Sequence, residues 1–294
     1  MDALTLPSLA KINLFLEVLA KRDDGYHEIR SVFQLIDLCD QVTVTRKEEG
    51  IAVRVKGDAP SGRENLAYQA AELLFKETGL EGGVEITIEK RIPVGGGLGG
   101  GSSNAAATLW GLNLLFGLRL SSEALMDLGA RLGADVPFFF SGGLAFAAGR
   151  GERLQPLPPL TARWVVVANP GVSISTAWAY RTLDLPLTDE TLALTIKNFL
   201  LHGEGEKALS LSFNRLEEVV LPRHPEVARL KGLLASWGAD PVLMSGSGSS
   251  IFGMVPERRQ GEAMVERLQE DGIRAVLSRT LDHNPLFNVR ILTS

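Results

Sequence analysis

The chain has 294 residues, 45% hydrophobic and 22% charged, enough for one large or two ordinary domains with a substantial core. A formal net charge of −5 lacks the basic excess expected of a nucleic-acid or membrane-surface binder. The single cysteine, Cys39, excludes an internal disulfide, and the four histidines lack the paired spacing of a zinc site.

The N-terminus carries no basic and apolar leader, and no stretch is apolar over the roughly 18 residues of a membrane span, so the sequence reads as a cytoplasmic globular protein. Ala10 to Val18, "AKINLFLEV", alternates: Ala10, Ile12, Leu14, Leu16 and Val18 form one face, and Lys11, Asn13, Phe15 and Glu17 the other. That pattern predicts a strand with one buried face. After the Asp-Gly turn of "KRDDGY", "IRSVFQLIDL" is extended again, and "DQVTVTRKEEGIAVRVKG" reads as two strands around Glu49-Gly50. Glu64 to Thr78 has helical spacing and Gly79 stops it; "VEITIEKRI" alternates up to Pro93. Helices follow to about Leu115 and over "SSEALMDLGARLG", then "ADVPFFF" and "GGLAFAAG" as buried strands or loops.

The proline-rich "RLQPLPPLTAR" is the candidate joint, dividing domains at 1–158 and 159–294. Beyond it come a strand "WVVVANP", a helix around "STAWAYRTL" and leucine-periodic helices to about Trp237. Strand, glycine turn and strand over "ADPVLMSGSGSSIFGMV", the helix "PERRQGEAMVERLQEDG" and the strand "IRAVLSRTL" complete a split βαβ, ferredoxin-like order.

The most informative stretch is "RIPVGGGLGGGSSNAAATLWGLN", where six glycines between Gly95 and Gly101 are interrupted only by Leu98. Glycine runs serve unusual dihedrals or close approach of a ligand to the backbone. A helix start offers unpaired N–H groups and partial positive charge, so the run fits a phosphate cradle. Ser102 and Ser103 are placed to cap the helix or to bond a phosphate oxygen. Ala105, Leu109, Leu112 and Phe116 would bury one side of it.

Gly95, Gly97 and Gly100 satisfy G-x-G-x-x-G, but the preceding strand alternates and the first acid at a suitable distance, Glu123, opens a helix, so the dinucleotide (NAD oxidoreductase) reading fails. The run has no lysine for a Walker loop, and the chain has no V-A-I-K, H-R-D or D-F-G for a protein kinase.

"PVGGGLGGGSSNAAA" resembles the phosphate-binding motif of the GHMP small-molecule kinases, in the form found in their 4-diphosphocytidyl-2-C-methyl-D-erythritol kinase family. "LAKINLFLEV…KRDDGYHEIRSVFQLIDLCD", "LGADVPFFFSGGLAFAAGRGE" and "LMSGSGSSIFG" resemble that family's other motifs, in order, from Leu9 to Gly253. The resemblance implies an α+β, two-domain GHMP kinase fold: an N-terminal ribosomal-protein-S5-domain-2-like domain and a C-terminal ferredoxin-like one. It implies transfer of the ATP γ-phosphoryl to the 2-hydroxyl of the methylerythritol moiety, in the non-mevalonate route to isoprenoids.

By the same resemblance, Asp135 is the catalytic aspartate and Lys11 its partner. Asn13 touches substrate from the face it shares with Lys11. Tyr26 and His27 grip the cytosine, and Tyr180 lies on its other side. Gly246 and Gly248 bring a further backbone segment close to substrate or triphosphate. The nucleotide is held by Pro93, Val94, Gly95, Gly96, Gly97, Leu98, Gly99, Gly100, Gly101, Ser102 and Ser103, with Asn65 and Leu66 bordering the adenine. ATP implies Mg2+. Superfamily members hold it with a serine after the glycine loop and a later glutamate; Ser102 or Ser103 suits the first role and no glutamate the second, so no protein ligand is assigned. The alternatives are a sister kinase for mevalonate, homoserine or a sugar, which has no evident need of "DGYHEIRSVFQ", and a non-catalytic nucleotide sensor, which would be expected to lose Lys11 and Asp135. The expected partner is a small molecule, with neither nucleic acid nor membrane, and the oligomeric state is left open.

Overall fold

A computed structural model describes residues 2–183 and 190–288. The elements run β1 (Ala3–Lys21), β2 (His27–Lys47), β3 (Gly50–Lys56), α1 (Leu66–Thr78), β4 (Gly83–Glu89), α2 (Gly100–Leu115), α3 (Ser122–Leu132), β5 (Leu144–Gly149) and β6 (Arg153–Pro156). They continue with β7 (Trp164–Asn169), α4 (Thr176–Thr182), α5 (Thr191–Leu201), α6 (Gly205–Ser210), β8 (Phe213–Asn214), α7 (Glu217–Val220) and α8 (Pro225–Ser236). The last are β9 (Val242–Met244), β10 (Ile251–Val255), α9 (Arg258–Glu270) and β11 (Arg274–Arg279).

Two sheets organise this α+β chain. The first has the order β3-β4-β2-β1-β8, with β5 and β6 continuing from the other half of β2. The second is antiparallel, β11-β7-β10-β9, the ferredoxin-like order that the chain sequence of its elements predicts. "RLQP" of the proline-rich joint is the strand β6, paired with β5, and the chain crosses to the second sheet between Pro156 and Trp164. One later segment returns: β8 pairs parallel with β1 at Phe15 and Leu16.

Strand β1 departs from the single buried face expected of it. Both faces are buried from Leu9 to Val18, because helices cover one side and the second half of the chain covers the other. Irregularities at Leu9/Ala10, Asn13/Phe15 and Val18/Ala20 reset its alternation along the way. Strand β2 is one long element rather than two, since its first half pairs β5 and its second half pairs β4. The "VPFFF" stretch is a 3-10 helix, Val136–Phe140.

Helix α1 begins after Asn65, whose side chain accepts from Ala67 N, and it ends at Gly79 in the left-handed region (φ +65°). Helix α2 is buried on all sides rather than one, with Ala105, Ala106, Ala107, Leu109 and Leu112 in the core. Gly111 lets it lie this close to the sheet, because a Cβ there would come within 2.5 Å of Leu6 Cδ1. The burial of α2 fixes its N-terminus beside β1, and that sets up the site.

Candidate active site

The glycine run turns from β4 into α2 through left-handed backbone at Gly95, Gly97 and Gly99 (φ +67°, +75° and +70°). It is clamped by the turn between β9 and β10. Ser245 Oγ donates to Gly97 O (3.0 Å), Ser250 N donates to Gly96 O (3.2 Å), and a Cβ on Gly97 would sit 1.9 Å from Ser245 O. Only glycine fits there. The helix is capped by Gly99 without any side-chain bond, so the serines do not cap it. Ser103 N bonds Gly99 O, which leaves the N–H groups of Gly100, Gly101 and Ser102 without helical partners, as at any helix start. Those amides and the helix dipole favour an anion.

Ser102 faces the main cavity, whereas Ser103 is buried and its Oγ accepts from Ser8 Oγ at 2.8 Å. Ser103 belongs to a polar network that sequence reasoning missed. Its centre is Asp40, 0% exposed. Asp40 Oδ1 accepts from the backbone N–H of Arg91 (2.7 Å) and Ile92 (2.9 Å); Oδ2 accepts from Asn104 Nδ2 (2.9 Å) and from Lys90 Nζ. Asn104 Nδ2 also donates to Ser8 Oγ (2.8 Å). One carboxylate thus holds the entry and exit of the glycine loop together.

Lys11 lies in β1, and its backbone N donates to Leu98 O (2.9 Å), tying the strand to the loop. Its ammonium is buried, donates to Asn13 Oδ1 (2.7 Å), lies 3.5 Å from Asp135 Oδ2 and sits 5.0 Å from the centre of the Phe33 ring. Asn13 Nδ2 donates to Ser31 Oγ (2.9 Å), and Ser31 in turn donates to Phe15 O (2.6 Å), so the amide is held in one orientation. Asp135 precedes the 3-10 helix; its side chain is 32% exposed and opens into the cavity. Gly99 packs on Lys11, since a Cβ there would be 3.0 Å from Lys11 Cγ. The anion cradle and the lysine–aspartate pair therefore share one corner of the molecule.

That corner opens into a cavity of about 650 Å³, lined by Lys11, Asn13, Gly97, Gly99, Ser102, Asp135 and, beside Gly97 and Asn13, Gly246, with Tyr26, His27 and Tyr180 elsewhere on its wall. Tyr26 is 55% exposed, with the Arg150 guanidinium over its ring. His27 and Tyr180 stack on each other at 5.2 Å, with 30° between ring planes. Burial, and then the charge of Lys21, lower the His27 pKa, so the ring is neutral near pH 7, with one N–H donor and one acceptor nitrogen. Burial, reinforced by Asp135, pushes the Tyr180 phenol up, and it stays protonated.

The other sequence-predicted positions lie outside this cavity. A Cβ on Gly248 would meet Met244 and Ile174, so glycine is needed there for the loop to pack. Leu98 is buried, Gly100 packs on Ile92 and Lys90, and Leu66 packs near Gly101. Asn65 is spent on capping α1 and on Pro60 O (2.7 Å). Pro93 and Val94 line a second cavity of about 300 Å³, with Gly57, Asp58 and Lys90, behind the glycine run; Gly95 and Gly96 border the second sheet's loops at Ser173, Ser250 and Asn169. Burial raises the pKa of the Cys39 thiol, against any nucleophilic role.

Such an arrangement, main-chain amides for phosphate next to a carboxylate–ammonium pair and a cavity for an acceptor, is that of a phosphotransferase acting on a small molecule. The chain matches the family described as GHMP kinases N terminal domain over residues 65–143, and GHMP kinases C terminal over residues 193–274. It is 42% identical to the 4-diphosphocytidyl-2-C-methyl-D-erythritol kinase of Geobacter metallireducens, over 91% of this chain and 95% of that one. It is 45% identical to the enzyme of the same name from Geobacillus kaustophilus, over 86% of this chain and 88% of that one. A crystal structure of 4-(cytidine 5'-diphospho)-2C-methyl-D-erythritol kinase superposes with a TM-score of 0.81 at 38% identity, covering 95% of this chain and 99% of the other. The homoserine kinase of Cytophaga hutchinsonii shares the fold (TM-score 0.74) at 18% identity. The chain belongs to the 4-diphosphocytidyl-2-C-methyl-D-erythritol kinase family of the GHMP kinases.

Proposed function

We propose that the chain transfers the γ-phosphoryl group of ATP to the 2-hydroxyl of 4-diphosphocytidyl-2-C-methyl-D-erythritol, giving the 2-phosphate and ADP in the methylerythritol phosphate route to isoprenoids. One observation carries the roles of the residues: the Lys11–Asp135 pair abuts the glycine loop in the same cavity that holds Tyr26, His27 and Tyr180. The triphosphate lies along the amides of Gly97 to Ser102. The acceptor oxygen forms its bond to the γ-phosphorus as the β–γ bridging bond breaks and ADP departs with the electron pair. Asp135 orients the hydroxyl and takes its proton late, when bonding to phosphorus has made it acidic. Lys11, fixed by Asn13, holds the carboxylate in place and stabilises charge on the attacking oxygen.

Neutral His27 offers its donor and acceptor to the edge of the cytosine, and Tyr26 offers a face. Tyr180, now stacked on His27, moves to the opposite face of the base when it enters. Mg2+ bound with ATP would supply positive charge to offset that of the phosphates. Ser102, at the start of α2, and Asp135 are the cavity-wall side chains that would complete its shell. No described helix is long and apolar enough to cross a membrane, and a cytoplasmic location fits this chemistry.

An ADP-release assay with Mg-ATP and a panel of the cytidylyl compound, mevalonate, homoserine and galactose tests the reading. Turnover of the cytidylyl compound alone is expected. Turnover of mevalonate without it would refute the assignment.

A further inference from the structure

The segment that follows β11 leaves the second half of the chain and runs back into the first. Thr280 bridges Ile36, and Leu281 N donates to Leu35 O at 2.9 Å. The buried Gln34 Nε2 donates to Leu281 O (2.7 Å) and to Gly143 O (3.1 Å). Gly143 has no room for a side chain, since a Cβ there would collide with Leu281 O and the Asp282 carbonyl carbon. Past that crossing lies a short 3-10 helix, Pro285–Asn288. Its Leu286 is buried in the same core as α2, and its Phe287 ring packs edge-on against Trp110 at 5.2 Å.

Asn284 is a buried polar residue in this return, only 4% exposed. Its Oδ1 accepts from Leu286 N (3.0 Å), and its Nδ2 donates to Phe139 O (2.7 Å). Phe139 belongs to the 3-10 helix Val136–Phe140, which starts directly after Asp135. The Phe139 ring flanks Gly99 together with Lys11, because a Cβ on Gly99 would lie 3.0 Å from Phe139 Cζ and 3.0 Å from Lys11 Cγ. Phe138 packs edge-on against Phe33 at 5.3 Å, the ring that faces the Lys11 ammonium. A 3-10 helix this short has poor internal hydrogen bonds, so contacts from outside set its position. A buried carbonyl needs a donor, and Asn284 supplies one to Phe139.

We infer that Asn284 is a positioning residue for phosphoryl transfer. By holding Phe139 O it fixes the 3-10 helix, and with it the 3.5 Å approach of Asp135 to Lys11. The inference rests on the reading of Asp135 given above. Asn284 does not line the cavity and acts through that carboxylate.

The test is steady-state kinetics of Asn284→Ala, with Leu286→Ala as the control that loosens the same segment and keeps the donor to Phe139 O. Both are assayed at a temperature where circular dichroism shows them folded. Asn284→Ala should lower kcat by about tenfold to a hundredfold, the scale of a displacement of about 1 Å at the reacting groups, with both KM values within about twofold of wild type. Asn284→Leu, which keeps the volume without the donor, should show the same split if the alanine variant does not fold. Leu286→Ala should lower Tm and leave kcat within about twofold. In an Asp135→Asn background, Asn284→Ala should cost less than about twofold more, because the two losses share one cause. Equal kcat losses in Asn284→Ala and Leu286→Ala, or losses that multiply in the double variant, would reduce Asn284 to general support and overturn the inference. So would an unchanged kcat in Asn284→Ala beside a large loss in Asp135→Asn. Wild-type turnover in Asp135→Asn would instead refute the reading of Asp135 itself, and the positioning role with it.

Discussion

Replacing Gly97 by alanine perturbs the contact on which the nucleotide cradle depends. The new Cβ would stand 1.9 Å from Ser245 O, a backbone atom that cannot rotate away, and the residue would keep a φ of +75°. Left-handed backbone costs an alanine about 1–2 kcal/mol, and forcing a methyl into a packed contact costs about 1–3 kcal/mol more. The sum, about 2–5 kcal/mol, corresponds to a fall in Tm of roughly 3–8 °C for a chain of this size. Gly117→Ala is the matched control. It has a φ of +65° with nothing within 4 Å of its Cβ, so it feels the backbone strain alone. Thermal unfolding of the two variants and the KM for ATP are the measurements. Gly97→Ala should lose clearly more stability than Gly117→Ala and should alone raise the ATP KM. Equal losses in Tm and unchanged ATP affinity would show that the clamp between the two glycine loops is not what shapes the cradle.

Two other perturbations have definite outcomes. Asp40→Ala leaves Lys90 and the Arg91 and Ile92 amides buried without their anion, and breaking such a pair costs about 3–5 kcal/mol. Urea unfolding should show a loss on that scale, and a midpoint unchanged from wild type would refute the role given to Asp40. His27 has its pKa lowered by burial and by Lys21, so in the fold it stays neutral at a pH where the unfolded chain already binds a proton. Its contribution to stability is therefore present above about 6.5, the unfolded value, and declines as pH falls from there toward the lower folded value. The KM for the cytidylyl substrate should be flat from pH 8 to about 6.5 and rise below it, and His27→Gln should flatten that rise. A rise already evident above pH 7 in wild type would contradict a neutral His27.

The glycine run reads as an anion cradle from its own residue types, whereas Lys11 and Asp135 stand out only through the resemblance; the structure places the two 3.5 Å apart. The ferredoxin-like order of the second sheet followed from the simple succession of strands and helices. What local pattern hides is burial by a distant part of the chain. Lys11 and Asn13 alternate with apolar neighbours as solvent-facing residues do, yet Gly99, Phe33 and Asp135 pack around Lys11, and Ser31 bonds Asn13. Asp40 looks like any acid inside a strand, and its four partners come from the segment just after β4 and from the start of α2. Ser103 follows Ser102 directly, but one helical step rotates it from the cavity to the interior. Arg150 sits inside a motif whose neighbouring letters carried the resemblance, and only its position over Tyr26 separates it from an ordinary surface arginine.

The central claim is that Asp135 acts on the acceptor hydroxyl while the glycine loop holds the nucleotide independently of it. Turnover and ATP-analogue affinity measured side by side in Asp135→Asn test this most directly. Turnover should fall by at least about a hundredfold, the lower range for removal of a proton-accepting group, with nucleotide affinity changed by less than about twofold. Turnover within about tenfold of wild type, with the substitution verified in the purified protein, would contradict it.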